Sequence, residues 1–395
     1  MPTAEPEHRV ALDAHGSDGR PGVEVAAAIL AAEAALGVDL VGDRSRLEPA
    51  LREALDARAR AAKLDGPARE ALEAAVAERV AIVHASQEIA MDESPARAVR
   101  AKPEASLCVA IARARGGGPC VGAVSAGNSG ALLAAGTMGL GRYAGVDRPA
   151  ILTAIPQVTH GAKDEGSRGD SRASSTAAGP STLLLDAGAN VRCRPLNLVQ
   201  FAVLGAVHAS ARAGREAGAR PRVAVLANGT EAGKGTELTR TTHDLLSAHS
   251  SPSFEFVGYV EPAQLFGPAC DVAVTDGWTG NITLKVAEAA MAAWPQLLRE
   301  ALRGNPLPAP ARSALAAVRG RVDPNAHGGA PLVGVDGTLI ICHGASEPRA
   351  LVHAVNLAGR YARAKIGEAS REALAAHREL FAAASSQRLG RSQRQ

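Results

Sequence analysis

Asp, Asn, Ser and Gly gather in short clusters where apolar runs end and Ala-rich helical stretches begin. In ALDAHGSDGRP these are Asp13, Gly16 and Asp18; in VSAGNSGA they are Ser125, Gly127, Asn128, Ser129 and Gly130. LDAGAN supplies Asp186, Gly188 and Asn190, and DGWTGN supplies Asp276, Gly277, Thr279, Gly280 and Asn281. Gly-rich turns at helix starts leave backbone amides and hydroxyls free to cradle an anion. Taken singly, each cluster reads equally as turn and cap chemistry. Together, at the strand ends of a doubly wound sheet, they would line one crevice.

Charged and titratable partners lie close by in sequence. Lys285 sits one turn after Asn281 on the same helix face and would reach a ligand at the helix start; the alternative is a surface pair with Glu288. NGTEAGKGT, with Lys234, has the look of a nucleotide loop. However, Gly229 to Gly233 is one residue short and Gly235 replaces the metal-binding hydroxyl, which excludes a nucleotide hydrolase. His15, His84 and His343 lie near the cluster ends as acid–base candidates, against the alternative of structural histidines; His343, in CHGASEP, is favoured by the Gly turn after it. No HExxH or GxSxG occurs. Cys108, Cys120, Cys193, Cys270 and Cys342 are odd in number and far apart, so no disulfide framework, zinc site or metal is expected, and no cofactor.

The elements that must position these residues are short Val, Ile and Leu runs between helical stretches: Arg9 to Asp13, Val80 to Val83, Val121 to Val124, Leu183 to Asp186, Arg222 to Leu226, Phe254 to Val257 and Asp271 to Thr275. Continuous rather than alternating runs are buried on both faces, which predicts an α/β class: a doubly wound, mostly parallel sheet flanked by helices. Leu332 to Val335 and Thr338 to Cys342 flank Asp336-Gly337 and predict a late hairpin. Met291, Trp294, Leu298 and Leu302 recur at helical spacing, with core as the expected fate of the stripe. Residues 286–322 read as a protruding helical hairpin and 158–181 as a flexible insertion, within a single catalytic domain over 8–365. Residues 366–395 read as a C-terminal helix and a basic disordered tail.

Composition agrees. A chain of 395 residues that is 46 % hydrophobic can bury a large core, and 3 % aromatics means that core is aliphatic. The +3 net charge is interspersed, so no nucleic-acid partner is indicated. No basic, apolar leader and no run of eighteen apolar residues occurs, which predicts a cytoplasmic protein, at most peripheral on the inner face of the cell membrane.

In order, ALDAHGSDGRP, IAMDESPARAVRAK, VSAGNSGALLAAGTMGLGRYAGVDRPAI, LLLDAGANVRCRPLNLVQFAVLG, DVAVTDGWTGNITLK and HGGAPLVGVDGTLIICHG resemble the bacterial phosphate acyltransferase family of phospholipid synthesis, from about Arg9 to Arg360. The chain departs from that pattern at His15 and Ser17, where the family usually has Met and Gly. It departs again at Ala227 and Thr230, which replace an amide and a carboxylate, and in the 158–181 insertion. The resemblance implies a phosphotransacetylase/isopropylmalate dehydrogenase-like fold and formation of acyl phosphate from a long-chain acyl-acyl carrier protein and inorganic phosphate. It also implies a homodimer, loose membrane contact through the hairpin, and a downstream glycerol-3-phosphate acyltransferase. Arg100 and Lys102 are the expected contacts for the acidic carrier protein.

Such a reaction needs no covalent nucleophile. Phosphate is largely dianionic near neutral pH, and a thiolate with a pKa of about 8.5 leaves readily. What the site must supply is an anion cradle, donors for the oxyanion and alignment. Ser125, Asn128 and Ser129, with Gly127 and Gly130, are the expected phosphate ligands; Lys285 or Lys234 would balance charge, and Asn190 or Asn281 would polarise the thioester carbonyl. Asp13, Gly16, Asp18, Asp186, Gly188, Asp276, Gly277 and Thr279 would shape the site. The alternatives are a transacetylase-type enzyme using acyl-coenzyme A and a non-catalytic carrier or membrane scaffold.

Overall fold

Most of the apolar runs become strands because both of their faces are covered, while the edge runs Val80–His84 and Glu255–Val260 are only partly covered. In the computed structural model, which describes residues 8–158, 179–213, 220–231, 233–302, 307–322 and 328–387, the strands in chain order are β1 (Arg9–Asp13), β2 (Gly37–Gly42), β3 (Val80–His84), β4 (Gly122–Ser125), β5 (Ala150–Pro156), β6 (Ser181–Leu185), β7 (Arg222–Leu226), β8 (Glu255–Val260), β9 (Val272–Val274), β10 (Ala330–Val333) and β11 (Leu339–Ile341). The chain divides into two units where the sequence reading has one domain over 8–365. Unit 1 holds residues 1–144 and 324–367, and unit 2 holds 145–323 and 368–395.

In unit 1 the strand order is β3-β2-β1-β4-β11-β10. All neighbours are parallel except β10 with β11, the expected late hairpin. Register places Asp13 opposite Val41 and Ile341 opposite Ser125, so the carboxyl ends of β1, β4 and β11 share one edge. Leu12, Leu40, Val124 and Ile340 pack with Val25 and Ile29 of the helix Gly22–Glu33 and with Leu351 and Val355 of the helix Pro348–Arg363. Truncating one such core leucine to Ala costs about 2–5 kcal/mol.

β2 escapes the sequence pattern because GVDLVG carries Asp39 in a fully buried position. Arg9 Nε donates to Asp39 Oδ1 at 2.7 Å, and Arg113 pairs with Oδ2. The guanidiniums and the Cys120 thiol hold the carboxyl below its ordinary pKa against the opposing effect of burial.

In unit 2 the order is β5-β6-β9-β7-β8, parallel except for β5 with β6. The helix Pro195–Ala213 buries Leu198, Val199, Phe201 and Leu204. The segment after 365 forms two helices, Ile366–Ala376 and Arg378–Ser386. Between them the His377 ring meets Ser251 Oγ at 2.8 Å and Ala373 O at 2.7 Å and stacks on Phe254, fastening the C-terminal helices to this unit. The expected tail begins at Ser385, yet Ser385 and Ser386 still lie in the helix, and 388–395 fall outside the described residues. So do 159–178, nearly all of the expected insertion.

The expected hairpin corresponds to the helices Gly277–Ala301 and Ala309–Val322. Its stripe is not core. Trp294 is 61 % exposed and Met291, Leu298 and Leu302 are only half-buried, while Val286 and Leu297, outside the stripe on the same helix, are exposed. Helical spacing shows that residues share a face but does not show what that face meets.

Candidate active site

In unit 1 the strand-end cluster closes around Asp13. Its Oδ2 accepts the Ser125 hydroxyl at 2.7 Å and its Oδ1 accepts the His15 N–H at 3.2 Å. Ser125 Oγ in turn accepts the Gly127 N–H at 3.1 Å. Ser125 is 1 % exposed, so its hydroxyl is spent on the carboxylate and shapes the turn from within. Gly16 is required where it stands, since a Cβ there would lie 2.8 Å from Gly127 N. The Asp18 N–H donates to Gly344 O at 2.8 Å and ties this turn to the loop after β11.

Asn128 caps the helix Ser129–Gly139: its Oδ1 accepts the Ala131 N–H at 3.1 Å, and its Nδ2 donates to Met91 O at 2.8 Å. The Ser129 and Gly130 amides belong to the first helical turn, where no intrahelical acceptor exists. Ser129 is exposed. These amides and the Ser129 hydroxyl, at the positive end of a helix, are the groups best placed to take an anion. His343 is exposed and its Nδ1 accepts the Ala345 N–H at 3.1 Å. His84 Nδ1 accepts the Arg44 N–H at 3.3 Å.

Two groups here have shifted proton affinity. Burial, followed by Arg46, lowers the His15 pKa. Glu24 is fully buried and accepts the Ser17 N–H at 2.9 Å; desolvation raises its pKa to about 7. Sequence reading missed Glu24, because a Glu in the first turn of a helix ordinarily signals dipole complementation at the surface.

Unit 2 has its own cluster. Asp186 accepts N–H bonds from Ile151, Gly188 and Ala189 on Oδ1 and from Asn190 on Oδ2, at 2.7–3.1 Å. Asn190 Nδ2 donates to Asp186 Oδ2 at 2.8 Å and to Pro149 O at 2.7 Å. Both of its amide hydrogens are therefore used, and of the two asparagines expected to polarise a carbonyl only Asn281 is exposed. Asp276 caps its helix through the Thr279 N–H and hydroxyl, each at 2.9 Å. Gly277 and Gly280 let that helix start against the 186–190 loop: a Cβ on Gly277 would come 2.7 Å from Asn190 N, and one on Gly280 would collide with Asp186 O. Asn281 lies beside Gly188, which has φ +143°.

Lys285 Nζ pairs with Glu288 Oε2 at 2.7 Å and is half exposed, the alternative that the sequence leaves open. Lys234 is exposed in a turn whose Gly235 N–H donates to Asn228 Oδ1 at 2.9 Å. Of the two expected carrier contacts, Arg100 is exposed. Lys102 instead holds Glu93 Oε1 at 2.7 Å and Glu88 O at 2.9 Å. Among the described residues no group of His, Cys, Asp and Glu is arranged to hold a metal ion.

Comparison with known proteins places the chain in a family. A family model described as "Fatty acid synthesis protein" matches residues 8–164 and 173–368. The phosphate acyltransferase of Myxococcus xanthus is 40 % identical over 361 residues, covering 89 % of each chain. That of Syntrophotalea carbinolica is 39 % identical over 357 residues, covering 88 % of this chain and 89 % of its own. This chain belongs to the phosphate acyltransferase family. Membership makes it a transferase of lipid biosynthesis whose reaction type is acyl transfer to phosphate. A solved phosphotransacetylase from Streptococcus pyogenes, 13 % identical, covers 91 % of this chain and 94 % of its own with a TM-score of 0.53, which shows the shared α/β fold. Among the described residues no helix is long and apolar enough to cross a membrane.

Proposed function

We propose that the protein transfers a long-chain acyl group from acyl carrier protein to inorganic phosphate, releasing acyl phosphate and the carrier thiol. The observation that carries this reading is the exposed first turn at Ser129 and Gly130, held open by Asn128 and backed by the Asp13–Ser125 pair, a cradle suited to phosphate. The cysteines support direct attack by phosphate. Burial pushes the thiols of Cys120, Cys193, Cys270 and Cys342 up to about 12, and it raises that of Cys108 too, so none is an activated nucleophile.

In this mechanism an oxygen of hydrogen phosphate forms a bond to the thioester carbonyl carbon, the C–S bond breaks, and the sulfur leaves as thiolate, which takes up the phosphate's proton to give the carrier thiol. Ser129 and Gly130 bind phosphate, while Asp13 and Ser125 set the turn that presents them. Exposed Arg100 is the retained carrier contact. The outward apolar side chains of the helix Gly277–Ala301, including Trp278, Ile282 and Trp294, support peripheral contact with a bilayer.

The test is hydroxylamine trapping of acyl phosphate from purified protein, phosphate and palmitoyl thioesters of acyl carrier protein or coenzyme A. Product from the carrier thioester is the expected result. Product from coenzyme A alone would make the enzyme a transacetylase type, and none from either would leave a scaffold.

A further inference from the structure

The turn that carries Asp13 builds a second polar cluster that the reaction scheme does not use. His15 is buried, with 2 % of its side chain exposed. Its Nε2 accepts the Asp43 N–H at 2.9 Å, so the neutral ring carries its proton on Nδ1. That nitrogen is shielded from solvent and has no hydrogen-bond partner among the described residues. It faces Glu88 Oε2 at 3.9 Å, and Arg20 Nε at 3.7 Å and Arg46 Nη1 at 3.6 Å face the same oxygen. Glu88 Oε2 is likewise shielded and without a hydrogen bond among the described residues.

Donors from the turn after β1 and from the helix Arg44–Ala61 thus converge on one carboxylate oxygen, and every one stands beyond hydrogen-bond reach. An ion pair built for stability closes further, as Lys102 does on Glu93 at 2.7 Å. A planar carboxylate is a poor fit to donors spread in this way. A tetrahedral oxyanion, with more oxygens pointing in more directions, would satisfy them together. Glu88 belongs to the segment between β3 and the helix Pro95–Ala101, and Met91 O of that segment accepts from Asn128. The cluster and the cap of the Ser129 helix therefore hang on the same loop.

We propose that Arg20, Arg46 and His15 Nδ1 form a second anion subsite for a phosphate group, occupied by the Glu88 carboxylate until a ligand displaces it. Resting on the reading of the chain as an acyl-carrier-dependent transferase, the ligand is the phosphate ester of the donor's pantetheine arm; free inorganic phosphate offers the same chemistry. Both guanidiniums are partly exposed, which gives the ligand its approach.

Calorimetric titration of the full chain with 4′-phosphopantetheine, pantetheine and inorganic phosphate tests this without turnover, so its failure would leave the acyl-transfer reading standing. Phosphopantetheine should bind about tenfold more tightly than pantetheine, Glu88→Gln should widen that ratio about tenfold, and Arg20→Gln with Arg46→Gln should abolish it. Arg46→Gln alone, at a half-exposed helix position, keeps the test open should the double variant fail to fold. If Glu88→Gln tightens inorganic phosphate and not the ester, the subsite stands with free phosphate as its ligand. Equal affinities for phosphopantetheine and pantetheine in wild type and Glu88→Gln, with inorganic phosphate unmoved, would overturn the proposal.

Discussion

Asp13 and Asp186 look alike in sequence and do different work. Each closes a strand and is followed by Ala and then by a Gly-containing turn. Asp186 is surrounded by backbone N–H groups and by the Asn190 amide, so the carboxylate is the hub on which a whole loop is wound. Asp13 accepts one backbone N–H and the hydroxyl of Ser125, which comes from a different strand. Unit 2 thus spends its aspartate on building a loop, and unit 1 spends its aspartate on orienting a turn whose outer amides remain available. The number and kind of donors, rather than the motif, separates the two roles.

That contrast can be broken by substitution. Asp186→Ala strands four backbone N–H groups that a fully buried carboxylate accepts and should cost about 4 kcal/mol of stability, read from urea unfolding midpoints. A loss below about 1 kcal/mol would mean that the loop does not depend on its hub. Glu24 sharpens the comparison, because the unit 1 turn also buries a carboxyl with too few donors. Its folded value of about 7 lies above the ordinary 4.5, so the stability it confers is complete below pH 4.5 and is lost as pH rises towards 7. Glu24→Gln should therefore match wild type near pH 4 and exceed it by up to about 3 kcal/mol at pH 8, seen in paired thermal melts. Identical pH profiles would remove the buried-charge account.

Asp13→Asn keeps the shape of the side chain and should reduce kcat/KM about 100-fold while costing only about 1 kcal/mol of stability. If instead it unfolds the protein and leaves the activity of the folded fraction intact, Asp13 is a second Asp186. The smallest effect is expected at Asn128. Replacing it with Ala removes a helix cap worth about 1 kcal/mol and should raise the phosphate KM with little change in kcat. An unchanged phosphate KM would move the cradle away from the Ser129 helix.

Most strands were legible because their neighbours bury both faces, and a continuous apolar run records that directly. β2 was not, since Asp39 interrupts the run and its arginine partners come from residues 9 and 113. β5, with Thr153 and a terminal Pro156, alternates in burial as the antiparallel partner of β6 and lacks the continuous signal. The strand-end clusters were visible as composition. What each polar atom does there was not, because the acceptor for Ser125 lies 112 residues away and one acceptor of the Asn190 amide lies 41 residues away. The Met291–Leu302 stripe shows the same gap from the other side: its spacing was plain, and its exposure depended on what packs nearby.

By itself the sequence determined the fold class, the order of strand-end motifs and, through their resemblance to a family, the reaction type, because these reside in local periodicity and in contiguous residues. Only the tertiary structure decided that Ser125 and Asn190 are spent internally, that Lys102 holds a loop, and that Arg20, Arg46 and His15 meet at Glu88. Hydrogen bonds and ion pairs join atoms near in space, and a linear chain does not record distance across strands.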